Sequence, residues 1–174
     1  NAQLPGLESG SAAWADYDND GDLDLAFTGF SSLVAERSFI YRNDNGIMTA
    51  VDSSIIKVAN GSVNWADFDN DGDQDLILNG QNSGSLLCEL YRNDNQTFVA
   101  MNPGFVRVLG IQKWLDVDND GFQDVVFSGV MDSLWVDTTI IYRNNGNSTF
   151  SYFPSNLPPL TRTGMELADC NIDS

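Results

Sequence analysis

One octapeptide pattern recurs along this chain with a period near fifty residues, and that period limits the folds open to it. Trp14-Ala15-Asp16-Tyr17-Asp18-Asn19-Asp20-Gly21 returns as Trp65-Ala66-Asp67-Phe68-Asp69-Asn70-Asp71-Gly72, and again as Trp114-Leu115-Asp116-Val117-Asp118-Asn119-Asp120-Gly121. Two further landmarks keep step. Tyr41-Arg42-Asn43 recurs as Tyr91-Arg92-Asn93 and Tyr142-Arg143-Asn144, and Gly29 recurs as Gly80 and Gly129. Such self-similarity means one supersecondary unit repeated, each unit burying against its neighbour a face it cannot cover alone. The repeats run over approximately 4–54, 55–104 and 105–156, with the opening of a fourth at 157–174. In that fourth unit Leu157-Pro158-Pro159-Leu160 echoes Leu4-Pro5-Gly6-Leu7. Its loop, from Asp169 to Ser174, carries Asn171 where the others carry Asp18, Asp69 or Asp118, and we expect it not to hold a metal. The chain begins at Asn1 without Met or a signal-peptide pattern, and reads as a processed or excised piece.

Inside each unit the pattern is that of strands. Short apolar runs at Ser11 to Trp14 and Asn64 to Ala66 precede the acidic loop. Leu23 to Phe27, Asp75 to Leu78 and Asp124 to Phe127 follow it and suit largely buried strands. Next come Ser38 to Tyr41, Glu89 to Tyr91 and Thr139 to Tyr142, then a polar turn and a fourth strand at Ile47 to Val51, Thr97 to Met101 and Thr149 to Phe153. Asn45-Gly46 and Asn145-Gly146 are strong hairpin signals. No long stretch has helical periodicity. Four short strands in about fifty residues is the size of a β-propeller blade. We therefore expect an all-β segment, 1–174, of three four-stranded blades and the start of a fourth. Propellers close with about four to eight blades, so the segment belongs to a larger ring or to one completed by association of copies.

The 25 acidic and 8 basic residues give a net charge of −17, which disfavours nucleic acid and anionic membranes as partners. No apolar run is long enough for a membrane-spanning helix. Most of the acids lie in the three loops, where such density costs repulsion unless cations neutralise it. Ca²⁺ is a hard cation taking six to eight oxygen ligands. Asp at loop positions 1, 3 and 5 turns carboxylates to one centre, Gly at position 6 permits a sharp bend, position 7 offers a backbone carbonyl, and Asp at position 9 closes the site. The candidate ligands are Asp16, Asp18, Asp20, Asp22 and Asp24; Asp67, Asp69, Asp71, Asp73 and Asp75; and Asp116, Asp118, Asp120, Phe122 and Asp124. Asp22, Asp73 and Phe122 act through their carbonyls. About three Ca²⁺ are expected, one per complete loop. An EF-hand would need Glu at position 12 between helices; here that position is Phe27, Leu78 or Phe127 in an apolar strand. Mg²⁺ fits less well, since it keeps more water.

Histidine is absent, which excludes Ser-His-Asp and Cys-His catalysis and His-ligated zinc. Cys88 and Cys170 match no metal spacing and are compatible with either a disulfide or two free thiols.

The run Asp-x-Asp-x-Asp-Gly-x-x-Asp, followed by an apolar strand and a later Tyr-Arg-Asn, resembles the FG-GAP/VCBS repeat family, which includes the calcium-bearing blades of integrin α-subunit propellers. The resemblance implies Ca²⁺ structural in each blade and a non-catalytic, secreted or cell-surface module for adhesion or for binding a protein or glycan ligand. A polysaccharide-active lyase or glycosidase on a propeller scaffold, and a purely structural segment of a large surface protein, are the alternatives. Trp14, Trp65 and Trp114 are placed alike in every unit and are expected in the core. Trp135 has no counterpart, and the variable stretches Phe30 to Arg37, Gln81 to Glu89 and Met131 to Thr138 are the expected partner surface. Asn60, Asn95 and Asn147 head Asn-x-Ser/Thr sequons.

Overall fold

The computed structural model describes residues 4–51, 54–131, 135–160 and 165. The degenerate loop from Asp169, with Cys170, and residues 132–134 of one variable stretch lie outside the described residues. Twelve strands follow one another, with no helix among the described residues. The first repeat forms β1 (Glu8–Ala15), β2 (Asp24–Ser31), β3 (Ala35–Asp44) and β4 (Ile47–Val51). The second forms β5 (Ala59–Ala66), β6 (Asp75–Asn82), β7 (Ser85–Asp94) and β8 (Thr97–Ala100). The third forms β9 (Val108–Leu115), β10 (Asp124–Met131), β11 (Asp137–Asn144) and β12 (Phe150–Phe153). Each set of four is an antiparallel meander, its strands paired in chain order. The expected all-β class and the three four-stranded sheets are therefore present. The three sheets do not make a closed ring among the described residues.

The sheets stack side by side, β5 packing on β1 and β2, and β9 on β5 and β6. That arrangement explains why β2, β6 and β10 read as continuous apolar runs rather than alternating ones: their first six residues are all buried. One apolar cluster fills the seam between the first and second sheets, with Tyr17, Ala26, Ile40, Ile55, Val58, Val63, Leu76, Leu78 and Tyr91 buried together. A second, built on Phe68, Ile77, Leu90, Val108, Val125 and Phe127, fills the next seam. The recurring glycine marks a close approach of strands. A Cβ on Gly80, whose φ is +152°, would stand 2.7 Å from the Ala59 carbonyl oxygen. The β5–β6 register shifts between Ala59 and Ser62 at that point.

The tryptophans divide. Trp65 stacks on Tyr17 of the preceding repeat, with ring centroids 5.8 Å apart, and its indole N–H donates to the Ala13 carbonyl at 3.2 Å. Trp114 is half-buried against the second cluster. Trp14 is 56% exposed. Equal placement in the repeat does not put it in the core, because no described element covers that side of the first sheet.

Candidate metal centres

Each acidic loop joins the first two strands of its sheet, and local geometry follows from residue type. Asn19, Asn70 and Asn119 at position 4 have φ of 59°, 58° and 56°, a left-handed conformation that Asn tolerates better than most residues. Gly21, Gly72 and Gly121 follow with φ of 95°, 96° and 86° and turn the chain back. The position 1 carboxylate braces this bend. Asp16 accepts from the N–H groups of Asp20 and Gly21 at 3.0 and 2.9 Å, Asp67 from Asp71 and Gly72 at 3.1 and 3.0 Å, and Asp116 from Asp120 and Gly121 at 3.1 and 2.8 Å. Position 9 anchors the loop from below. Asp24, Asp75 and Asp124 are fully buried, each accepting from the position 2 N–H and from the N–H of Asn43, Asn93 or Asn144 at 2.7–3.0 Å.

The predicted ligands are not all brought equally close. Oxygens of Asp16, Asp18 and Asp24, of Asp67, Asp69 and Asp71, and of Asp116, Asp118 and Asp124 each lie within 4.8 Å of one another. Asp20, Asp75 and Asp120 belong to the same loops but stand outside those sets of three. At position 7 the side chains point elsewhere. Asp22 accepts from the Asn45 N–H and Asp73 from the Asn95 N–H, both in the β3–β4 and β7–β8 turns, which leaves this position to act through its carbonyl. Phe122 has no such carboxylate, and its ring lies against Gly146.

Two oxygens stand out. Asp18 Oδ1 and Asp69 Oδ1 are buried and have no hydrogen-bond partner. A carboxylate oxygen withdrawn from water without a donor costs free energy, and a cation is the partner that three converging carboxylates could share. The electrostatics agree. Burial, then neighbouring carboxylates, holds Asp18 and Asp69 above the usual carboxylate range. Burial pushes Asp75 up to about 7 against the pull of its two backbone donors, and raises Asp24 and Asp124 in the same way. The donor set, all carboxylate and carbonyl oxygen, suits Ca²⁺.

The Tyr-Arg-Asn landmark is part of the loop's support. Asn93 Nδ2 donates to the Tyr17 carbonyl of the first loop at 2.8 Å and to Gln74 of its own loop at 3.2 Å. Asn144 makes the same pair of bonds to Phe68 at 2.7 Å and Gln123 at 3.2 Å. Asn19 and Asn70 reach forward to the carbonyls of Gly72 and Gly121 at 3.3 and 3.0 Å. The three loops are thus chained to one another across the seams. The one signal for this was that Asn43, Asn93 and Asn144 keep step with the loops. Cys88 is a free thiol whose pKa burial pushes up to about 12, and it takes no part in the loops.

A comparison with family models matches residues 16–78 to the FG-GAP-like repeat. A comparison with curated proteins finds no match.

Proposed function

Residues 16–78 carry an FG-GAP-like repeat, and from that premise we propose that the chain is a calcium-binding, non-catalytic module of a β-propeller. Such modules are repeat scaffolds in which each blade presents a loop at one end and a hairpin at the rim. Asp16, Asp18, Asp20 and Asp24 with the Asp22 carbonyl would hold one ion, and Asp67, Asp69, Asp71 and Asp75 with the Asp73 carbonyl a second. Asp116, Asp118, Asp120 and Asp124 with the Phe122 carbonyl would hold a third. Bound there, Ca²⁺ supplies charge neutralisation and rigid coordination. The observation that carries the reading is the pair of buried, unpartnered oxygens of Asp18 and Asp69. Asp24, Asp75 and Asp124 serve the module by tying each loop to the third strand of its own sheet.

The ions are structural, and the module works outside the cell, where millimolar calcium suits sites of modest affinity. Its ligand is a protein or glycan engaged by the variable hairpins, where Leu33 and Trp135 are largely exposed. The ring is completed by further blades or by self-association, which would cover Trp14.

Thermal melts in calcium and in chelator test the central claim. A site holding a hundredfold excess of ligand over its dissociation constant stabilises the fold by about 2.7 kcal/mol. For a protein of this size each kcal/mol moves the melting temperature by about 2–4 °C. Two loaded sites therefore predict a fall of roughly 10–20 °C on chelation. An unchanged midpoint sinks the calcium reading. Glycan-array binding with and without Trp135→Ala tests the partner surface.

A further inference from the structure

The three loops are not equivalent, and the difference lies in one arginine. Arg42 and Arg92 leave the third strand of their sheets and pair with an acid two residues on. Arg42 contacts Asp44 at 2.9–3.0 Å, and Arg92 grips both oxygens of Asp94 at 2.7 and 2.9 Å. In the third repeat that acid is Asn145. Asn145 spends its side chain on the β11–β12 turn, donating to Thr149 Oγ1 and accepting from the Ser151 hydroxyl, both at 3.0 Å. Arg143, left without its partner, lies in the acidic loop instead. Its Nε is 2.6 Å from Asp118 Oδ2 and its Nη2 is 3.0 Å from Asp120 Oδ2. The second contact is a hydrogen bond. The first is ionic only, since the Nε–H finds no acceptor in line.

We propose that Arg143 is a built-in competitor for the cation of the third loop, so that this site binds calcium more weakly than the first two and fills last. The inference rests on the calcium reading above. Arg143 holds the carboxylates at positions 3 and 5 in direct contact, whereas Arg42 and Arg92, tied to Asp44 and Asp94, act on Asp18 and Asp69 only from a distance. The loop also has one carboxylate fewer, with Phe122 at position 7. Four acids and one arginine give the third loop a charge of −3, against −5 for each of the others. Calcium entering there must displace the guanidinium. Two exposed ion-pair contacts correspond to a weakening of about tenfold.

Calorimetric calcium titration of the whole chain tests this, with Asn145→Asp, Arg143→Gln and the double variant beside the native protein. The native chain should show two tight sites and one about tenfold weaker. Asn145→Asp restores the partner that Arg42 and Arg92 have and should tighten the third site to near the others. Arg143→Gln should tighten it likewise. The double variant should gain nothing over Arg143→Gln, because the new aspartate acts only through the arginine; equal added gains would mark a general charge effect and overturn the proposal. The reciprocal change, Asp44→Asn, should release Arg42 and weaken the first site. Three equal sites in the native chain, or no response to Asn145→Asp, overturn the role of Arg143 and leave calcium binding standing. No binding in any variant overturns both.

Discussion

Asn43, Asn93 and Asn144 occupy the same place in the repeat, yet replacing them should not cost the same. Asn93 is fully buried. Its side chain donates to Tyr17 across the seam at 2.8 Å and to Gln74 at 3.2 Å, and accepts from the Gln96 N–H at 2.7 Å. Asn93→Ala removes all three bonds while the backbone bond to Asp75 survives. Each net bond is worth about 1 kcal/mol, and a buried group left without a partner costs more, so the loss should be about 3–4 kcal/mol. Asn43 keeps only the Leu23 carbonyl at 3.0 Å and the Gly46 N–H at 2.8 Å, both at exposed positions where water replaces the side chain. Its replacement should cost about 1 kcal/mol or less. Urea unfolding in saturating calcium measures both. With slopes of about 1–3 kcal/mol per molar urea, a difference of about 2 kcal/mol separates the midpoints by about 1 M. Asn144→Ala should follow Asn93→Ala, since its Phe68 bond is the counterpart. Equal losses for Asn43 and Asn93 would refute the claim that this asparagine works across the seam.

The aromatic stack predicts a similar asymmetry: Trp65→Ala should cost about 3 kcal/mol and Trp14→Ala less than about 1 kcal/mol, read as midpoints in the same urea series. Gly80→Ala should cost at least about 2 kcal/mol, because its Cβ meets the Ala59 carbonyl oxygen at 2.7 Å on a φ of +152°; a melting temperature within 2 °C of native would contradict it. The buried carboxylates predict a pH dependence in chelator. Asp75 keeps its proton to about pH 7 when folded but loses it near 3.8 when unfolded, so the unfolded chain releases that proton first. Metal-free stability should fall as pH rises from about 4 to about 7, with Asp24 and Asp124 acting in the same direction. Asp75→Asn should flatten the slope, and melting temperatures that rise over that window would show the sign to be wrong.

Most of the architecture could be read from spacing alone, because a repeat states its own boundaries and its strands carry apolar runs that only a doubly covered strand requires. The glycine at loop position 6 was legible because a sharp bend needs it. Positions 1 and 9 read as calcium ligands, and their bonds to backbone N–H groups go unread. Asp24, Asp75 and Asp124 hold the third strand through Asn43, Asn93 and Asn144, a link between residues about twenty apart that spacing records without interpreting. Trp14 differs from Trp65 for a definite reason. Trp65 packs on Tyr17 and Ala13 of the preceding repeat, whereas no described element stands in that place beside Trp14, and periodicity cannot separate the two.

Arg143 shows the converse limit. Asn145 in place of Asp44 and Asp94 is visible in the sequence as one substitution in a hairpin, and hairpins vary freely. Its consequence appears only when the side chain two residues earlier is followed to where it goes. A guanidinium that loses a carboxylate takes the nearest remaining ones, and in this fold those belong to the acidic loop at the end of the neighbouring strand. The substitution therefore reaches the loop without altering any loop residue, and a departure at one landmark of a repeat should be traced through its local ion pairs before the loops are counted as equal.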